Sequence, residues 1–225
     1  MICTIPELKK ISLFYERGAW PYKSIDEVKK LTGADVVINA GLYNLNTREP
    51  LQTQKVNGKY ISLEDAPYVG YGWNGEGEDI KLTTKHTEAD SFVSCIFLPS
   101  DSNPHYPADM GGVRGRTAFG LKADGAVVIY CSKDGTADAC TPEQLRTKMY
   151  AEGCVSALML DGGLTSQCIM PSGNIASTRN PPAYLCFWAK VYRVQVGAFW
   201  NKSGAEALKQ ELAGKGYPGA WIVEK

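Results

Sequence analysis

Three stretches of this chain carry the mark of a helix start, and they set how much helix the fold can hold. In Ser24-Ile-Asp-Glu27, Thr141-Pro-Glu-Gln144 and Ser203-Gly-Ala-Glu206 a hydroxyl residue stands three places before an acid or an amide. Each pair can satisfy the other's free backbone N–H, which is the capping box. Pro142 suits a first helical position, and Gly33 and Gly153 stand where two of the helices should end. Everything between is short apolar runs broken by glycine, proline and Asn-Gly or Asp-Gly pairs. Runs at 34–39, 91–98, 117–121, 126–131, 155–160, 167–170 and 184–189 read as strands. Asn57-Gly58 reads as a hairpin turn inside a turn-rich stretch from 43 to 77. The pattern predicts an α+β fold with a mixed, largely antiparallel sheet and few helices.

The last 35 residues read as a unit of their own. Residues 192–199 alternate as a half-buried strand should, Ala205, Leu208 and Leu212 share one helical face, and 220–223 form a second strand. The expected organisation is a domain over 1–190 followed by a small βαβ unit over 191–225.

Charge removes several functions. The 225 residues hold 24 basic and 24 acidic side chains. A net charge of zero argues against a nucleic-acid binder working by bulk electrostatics. No apolar run reaches the 18 or so residues of a membrane span. The start has no basic stretch followed by an apolar segment of signal-peptide length, so the expectation is cytoplasmic synthesis. The seven cysteines form no C-x-x-C pair and are expected to be mostly free thiols, several of them buried in strands. His86 and His105, the only histidines, have no second ligand at helical spacing and read as surface residues. The motifs G-x-S-x-G, G-x-x-x-x-G-K-[ST] and H-E-x-x-H do not occur.

Three features remain that can carry chemistry. In Asp161-Gly-Gly-Leu-Thr-Ser166 a carboxylate follows an apolar strand directly, with two glycines behind it. An acid at the end of a buried strand is costly unless it is hydrogen-bonded or used, although Asp-Gly also serves as a plain turn. Arg114 and Arg116 stand at the mouth of a strand, and Arg179 lies in Thr178-Arg-Asn-Pro-Pro182. Guanidinium suits bidentate recognition of phosphate or carboxylate, and surface arginines are also common. Asn39 lies at the end of a predicted strand, and Asn39 and Asn44 flank a glycine turn.

Four segments in this order resemble the phosphodiester glycosidase family: Ile38-Asn-Ala-Gly-Leu-Tyr43, Arg116-Thr-Ala-Phe-Gly120 with Lys122-Ala-Asp-Gly125, Leu160-Asp-Gly-Gly-Leu-Thr-Ser166, and Arg179 before the last strand. The resemblance spans roughly 34–189. Leu164 stands where the family pattern has a third glycine, Thr165 where it has a serine, and Asn180 where a proline follows the arginine. Residues 192–218 resemble one half of a SPOR domain, a family that binds peptidoglycan.

The resemblance implies a hydrolase that cleaves a sugar-1-phosphodiester at the anomeric carbon, acting on bacterial cell-wall glycans or glycopolymers in a bacterial or phage setting. Catalysis would fall to Asp161, Arg116 and Arg179. Substrate contacts would come from Asn39, Gly41, Tyr43, Gly162, Gly163, Thr165 and Ser166. The partners implied are a sugar-phosphate substrate and, through 191–225, peptidoglycan glycan, with no nucleic acid and no membrane span. The chain would then act at the wall after release. No cofactor is implied; a divalent cation stays open, although no loop has a Ca²⁺ ligand spacing. The alternatives are a binding protein that sequesters phosphosugars or nucleotides without turnover, and a wall-binding protein with an inactive body.

Overall fold

The first two capping boxes close as the sequence predicts. Ser24 Oγ accepts the Glu27 amide at 3.4 Å and the Glu27 carboxylate accepts the Ser24 amide at 2.8 Å, starting α1 (Ile25–Thr32), which Gly33 ends. Thr141 and Gln144 make the same exchange at 3.3 and 2.9 Å and start α2 (Pro142–Ala151). The computed structural model describes residues 1–16, 18, 21–66, 68–77, 79–192 and 194–224. They form two compact units, Met1–Lys190 and Val191–Lys225.

The strands of the first unit, in chain order, are β1 (Ile2–Ile5), β2 (Leu8–Tyr15), β3 (Val36–Asn39), β4 (Gln54–Val56), β5 (Lys59–Ser62), β6 (Gly70–Trp73), β7 (Lys81–Thr83), β8 (Ser91–Ser94), β9 (Ile96–Leu98), β10 (Arg116–Lys122), β11 (Val127–Ser132), β12 (Cys154–Met159), β13 (Cys168–Met170), β14 (Gly173–Ile175) and β15 (Ala183–Ala189). They make three five-stranded sheets, ordered β1-β11-β10-β12-β9, β14-β13-β3-β15-β2 and β5-β4-β8-β6-β7. The fold is α+β with few helices, and each pairing among the described residues is antiparallel. One ring from each sheet ties the core together. Tyr71 of β6 packs on Phe119 of β10 with centroids 4.4 Å apart, and Phe119 packs on Phe187 of β15 at 5.7 Å. All three side chains are fully buried.

Several elements differ from the sequence expectation. The single strand expected over 91–98 divides at buried Cys95 into β8 and β9, which belong to different sheets; a run that is apolar on both faces can serve two layers in turn. The glycine-rich stretch around Tyr71 and Trp73 is a central strand. A Cβ at Gly70 would lie 2.4 Å from the Val93 carbonyl oxygen and one at Gly72 2.9 Å from Ala89, so these glycines permit close packing. The hairpin at Asn57-Gly58 is present, with φ of 46° and 80° at its two central residues. This is the left-handed geometry that Asn-Gly supplies at low cost. All seven cysteines are free thiols, and all but Cys3 are buried.

In the second unit the structure gives one helix, α3 (Lys202–Gly214). Its cap is Asn201, whose Oδ1 accepts the Gly204 amide at 2.9 Å, while Ser203 donates its hydroxyl to the same oxygen. The expected capping role of Ser203 is thus taken two residues earlier, by Asn201. The flanking segments expected as strands have no ladder partner among the described residues, and a strand is defined by its partner. Arg193, inside the first of them, and Lys225 at the end lie outside the described residues. No residue of this unit is buried among those described; Val194 is 86% exposed and Trp221 60%. No described helix in either unit is long and apolar enough to cross a membrane.

Candidate active site

Three strand ends meet beside Asp161. β12 delivers it directly after Met159 and Leu160, β10 begins with Arg116 on the neighbouring strand, and β3 ends at Asn39 in the adjacent sheet. The Leu160 amide donates to the Thr117 carbonyl at 2.8 Å and the Asp161 amide to the Ala40 carbonyl at 3.2 Å. Asn39 completes the join. Its Nδ2 donates to the Asp161 carbonyl at 2.8 Å, and its Oδ1 accepts the Thr117 hydroxyl at 2.7 Å and the Gln167 amide at 3.1 Å. With 0% exposure and these bonds made, Asn39 fixes the loop and does not reach the pocket expected to hold substrate.

The turn after Asp161 shows why glycines follow it. Gly163 has φ of 60°, in the left-handed region, and its amide donates to the Gly115 carbonyl at 2.8 Å. A Cβ at Gly162 would lie 2.9 Å from that same carbonyl oxygen, and one at Gly115 2.6 Å from the Asp134 amide nitrogen. The two loops therefore touch backbone to backbone. Gly115 also donates its amide to Asp134 Oδ1 at 2.7 Å, which anchors a second carboxylate beside the first.

These loops wall a pocket of about 550 Å³. Asp161, Arg116 and Arg179 line it together, with Tyr43, Gly162, Gly163 and Thr165. Burial pushes the Asp161 carboxyl up to about 6, against the lowering effects of the Thr165 hydroxyl, the Gly162 amide and the Arg179 charge. Arg116 is 2% exposed. Three backbone carbonyls hold its guanidinium: Cys140 at 3.0 Å from Nε, Met110 at 3.0 Å from Nη1 and Gly112 at 2.7 Å from Nη2. It forms no ion pair among the described residues, and burial first, then the Arg114 charge, depresses its proton affinity. A buried cation held only by neutral carbonyls favours an anion in front of it. Arg179 is held by its backbone, which takes a bond from Gln167 Nε2 at 2.7 Å and gives one to Ser177 Oγ at 2.9 Å.

Tyr43 is buried and lines the pocket, and its hydroxyl has no hydrogen-bond partner among the described residues. Gly41 stays outside the lining; a Cβ there would lie 2.9 Å from Gln54 Nε2 and 3.2 Å from the Ser94 carbonyl oxygen, so its small size serves packing. Ser166 lines a neighbouring pocket instead. Sequence reasoning passed over Asp134 and Asp109, which also line the first pocket, and singled out Arg114 only as a neighbour of Arg116. Asp134 had a usable signal: like Asp161, it is an acid close behind an apolar strand, here β11. Leu45, Leu51 and Leu164, each 36–54% exposed, form an apolar rim. No group of three His, Cys, Asp or Glu side chains among the described residues is arranged to hold a metal.

A family model described as phosphodiester glycosidase matches residues 32–189. The chain belongs to the phosphodiester glycosidase family. The match takes in β3 through β15 and all the side chains of the pocket just described. A SPOR domain model matches residues 189–225. Among solved structures, the catalytic domain of zebrafish N-acetylglucosamine-1-phosphodiester alpha-N-acetylglucosaminidase, auto-inhibited by its pro-peptide, is similar with a TM-score of 0.62 at 13% identity, covering 81% of this chain and 74% of that one. A hypothetical protein from Synechocystis is similar with a TM-score of 0.65 at 11% identity, over 84% of this chain and 59% of that one. A putative exported protein from Burkholderia pseudomallei is similar with a TM-score of 0.57 at 11% identity, over 79% of this chain and 71% of that one. These likenesses show the shared fold. No curated protein matches the chain.

Proposed function

We propose that residues 1–190 hydrolyse a sugar-1-phosphodiester at the anomeric carbon. The observation that carries this reading is the arrival of Asp161, Arg116 and Arg179 at one pocket. In the reaction the bond between C1 and the phosphate oxygen breaks, and the electron pair leaves with the phosphomonoester. Water adds to C1 and gives up one proton. The transition state gathers positive charge on the sugar ring and negative charge on the phosphate. Arg116 and Arg179 stabilise the second by charge-assisted hydrogen bonds. Arg116 needs no rearrangement to do so, because its carbonyl cradle holds it in place beforehand. Above pH 6 the Asp161 carboxylate faces the developing positive charge and accepts the proton of the attacking water. Tyr43, which lines the same pocket, would contact the sugar ring.

The unit over 191–225 is proposed to bind peptidoglycan glycan, which would direct the body to bacterial cell-wall glycans or glycopolymers. The SPOR match supports this part.

The test is incubation with a methyl or nitrophenyl phosphodiester of N-acetylglucosamine-1-phosphate, following free reducing sugar and phosphomonoester. Release of both is expected, and their release should fall about 10²–10⁴-fold in Asp161→Asn. Tight binding with no product would refute hydrolysis in favour of sequestration. Retention on purified peptidoglycan by the full chain, lost on truncation after Lys190, tests the second unit.

A further inference from the structure

Two of the three carbonyls that hold Arg116, those of Met110 and Gly112, belong to the loop over 107–112. Among the described residues that loop hydrogen-bonds only to itself and to Arg116. The Met110 amide donates to the Pro107 carbonyl at 2.9 Å and the Gly111 amide to the Ala108 carbonyl at 3.2 Å. Its other hydrogen-bonded fixings are therefore beyond its two ends. Behind it, Arg114 and Cys140 exchange backbone bonds at 3.2 and 3.0 Å. Ahead of it, the Tyr106 hydroxyl donates to Glu143 Oε1 at 2.5 Å. Both fixings reach the start of α2, whose cap is Thr141. The Tyr106 ring also touches the loop: a Cβ at Gly111 would lie 3.2 Å from Tyr106 Cε2.

The helix is patterned for this task. Pro142, Leu145 and Met149 are its buried stripe. Glu143, Arg146 and Tyr150 repeat the same spacing one position on and are half-buried. Arg146 donates to the Pro99 and Ser100 carbonyls, and the Tyr150 hydroxyl to the Leu98 carbonyl. One stripe of α2 thus fastens the chain at the end of β9, at 99–100 and at Tyr106. The Tyr106 hydroxyl, against burial, holds the Glu143 carboxyl below its ordinary range, and the Arg116 charge adds to this. A hydrogen bond to an ionised acceptor is the stronger kind. We infer that Tyr106 and Glu143 are positioning residues of the anion site: neither lines the pocket, and together they set the loop whose carbonyls aim Arg116 into it. The anion-binding part of this rests on the role proposed above for Arg116.

The test begins without ligand, by nitrogen NMR of the labelled full chain. Nη1 and Nη2 of Arg116 bond to different carbonyls of the loop, so rotation about the Nε–Cζ bond should be slow and the two nitrogens should give separate signals. Tyr106→Phe and Glu143→Ala should each speed this rotation about tenfold, as the loss of one charge-assisted bond implies. Glu143→Gln keeps an acceptor for the Tyr106 hydroxyl and should keep the rotation slow. A loss of stability alone would move the melting temperature and leave the rotation as it was. Inorganic phosphate, titrated calorimetrically into the same proteins, should bind about tenfold more weakly to Tyr106→Phe and Glu143→Ala than to the wild type and Glu143→Gln. Rotation that stays slow in Tyr106→Phe, or a Glu143→Gln that behaves as Glu143→Ala does, would overturn the inference, and so would faster rotation with unchanged phosphate affinity. A wild type that binds no phosphate would instead refute the role proposed for Arg116, and the rotation would still decide whether Tyr106 and Glu143 set its cradle.

Discussion

Asp161→Asn should make the protein more stable as well as inactive, and the gain should depend on pH. Burial raises the carboxyl from 3.8 to about 6 in the folded chain. At roughly 1.4 kcal/mol per tenfold change in proton affinity, that shift corresponds to about 3 kcal/mol. The sign follows from proton uptake. Between about pH 4 and pH 6 the folded chain binds a proton that the unfolded chain has lost, so stability falls as pH rises through this window and then levels off. Asparagine does not ionise and escapes the fall. The unfolded carboxyl is already half ionised at pH 4, so the difference between variant and wild type should be about 2.4 kcal/mol larger at pH 8 than at pH 4, in favour of the variant. Taking this difference of differences cancels whatever the amide gains or loses in packing and in its bond with the Gly162 amide. Urea denaturation followed by circular dichroism at the two pH values measures it. A difference that is the same at both values, or a variant that loses ground at pH 8, would refute the argument that the site holds a desolvated carboxylate at the expense of stability.

Activity should share this titration: kcat/KM of the wild type should drop about tenfold per pH unit below about 6, the value to which burial raises Asp161, as a pH–rate profile would reveal. The two arginines should differ. Arg116→Met leaves three carbonyls without their donor and should lower the melting temperature by several degrees, whereas Arg179→Ala should keep the melting temperature and weaken inorganic phosphate binding about tenfold or more. Asn39→Ala removes one donor and one doubly used acceptor from a fully buried position, and should cost about 2–4 kcal/mol in urea denaturation. Tyr43→Phe should keep or raise stability in urea denaturation, since it removes a buried hydroxyl that has no partner among the described residues; a loss of more than about 1 kcal/mol would refute this.

Local chemistry was legible and long-range placement was not. The capping boxes at Ser24 and Thr141 and the Asn57-Gly58 hairpin are decided within four residues, and each is as the sequence implies. The division of 91–98 at Cys95 depends on which sheet each half meets, and that choice is made by residues far away in the chain. The same holds for Gly70 and Gly72, where small size looked like a turn and is a tight approach to Val93 and Ala89. Within the site, the acid and the two arginines were visible as types that need a reason to be where they are. Asn39 was visible too, but its task was not: only the fold reveals that the groups it satisfies belong to Thr117, Gln167 and the loop of Asp161. Ser203 does not cap because the helix starts two residues earlier, where Asn201 Oδ1 accepts the Gly204 amide and the Ser203 hydroxyl donates to that same oxygen.

The carbonyl cradle around Arg116 has a kinetic meaning. No carboxylate among the described residues pairs with that guanidinium, so its charge stands at its place before any ligand arrives, while Asp109, Asp134 and Asp161 balance the three arginines of the pocket as a whole. The pull on an anion is therefore local to the guanidinium, and added salt should slow capture only slightly. Had an acid been paired with the arginine, each encounter would have to break that pair first; here the docking place is set and waiting, and the lifetime of the complex is governed by departure alone.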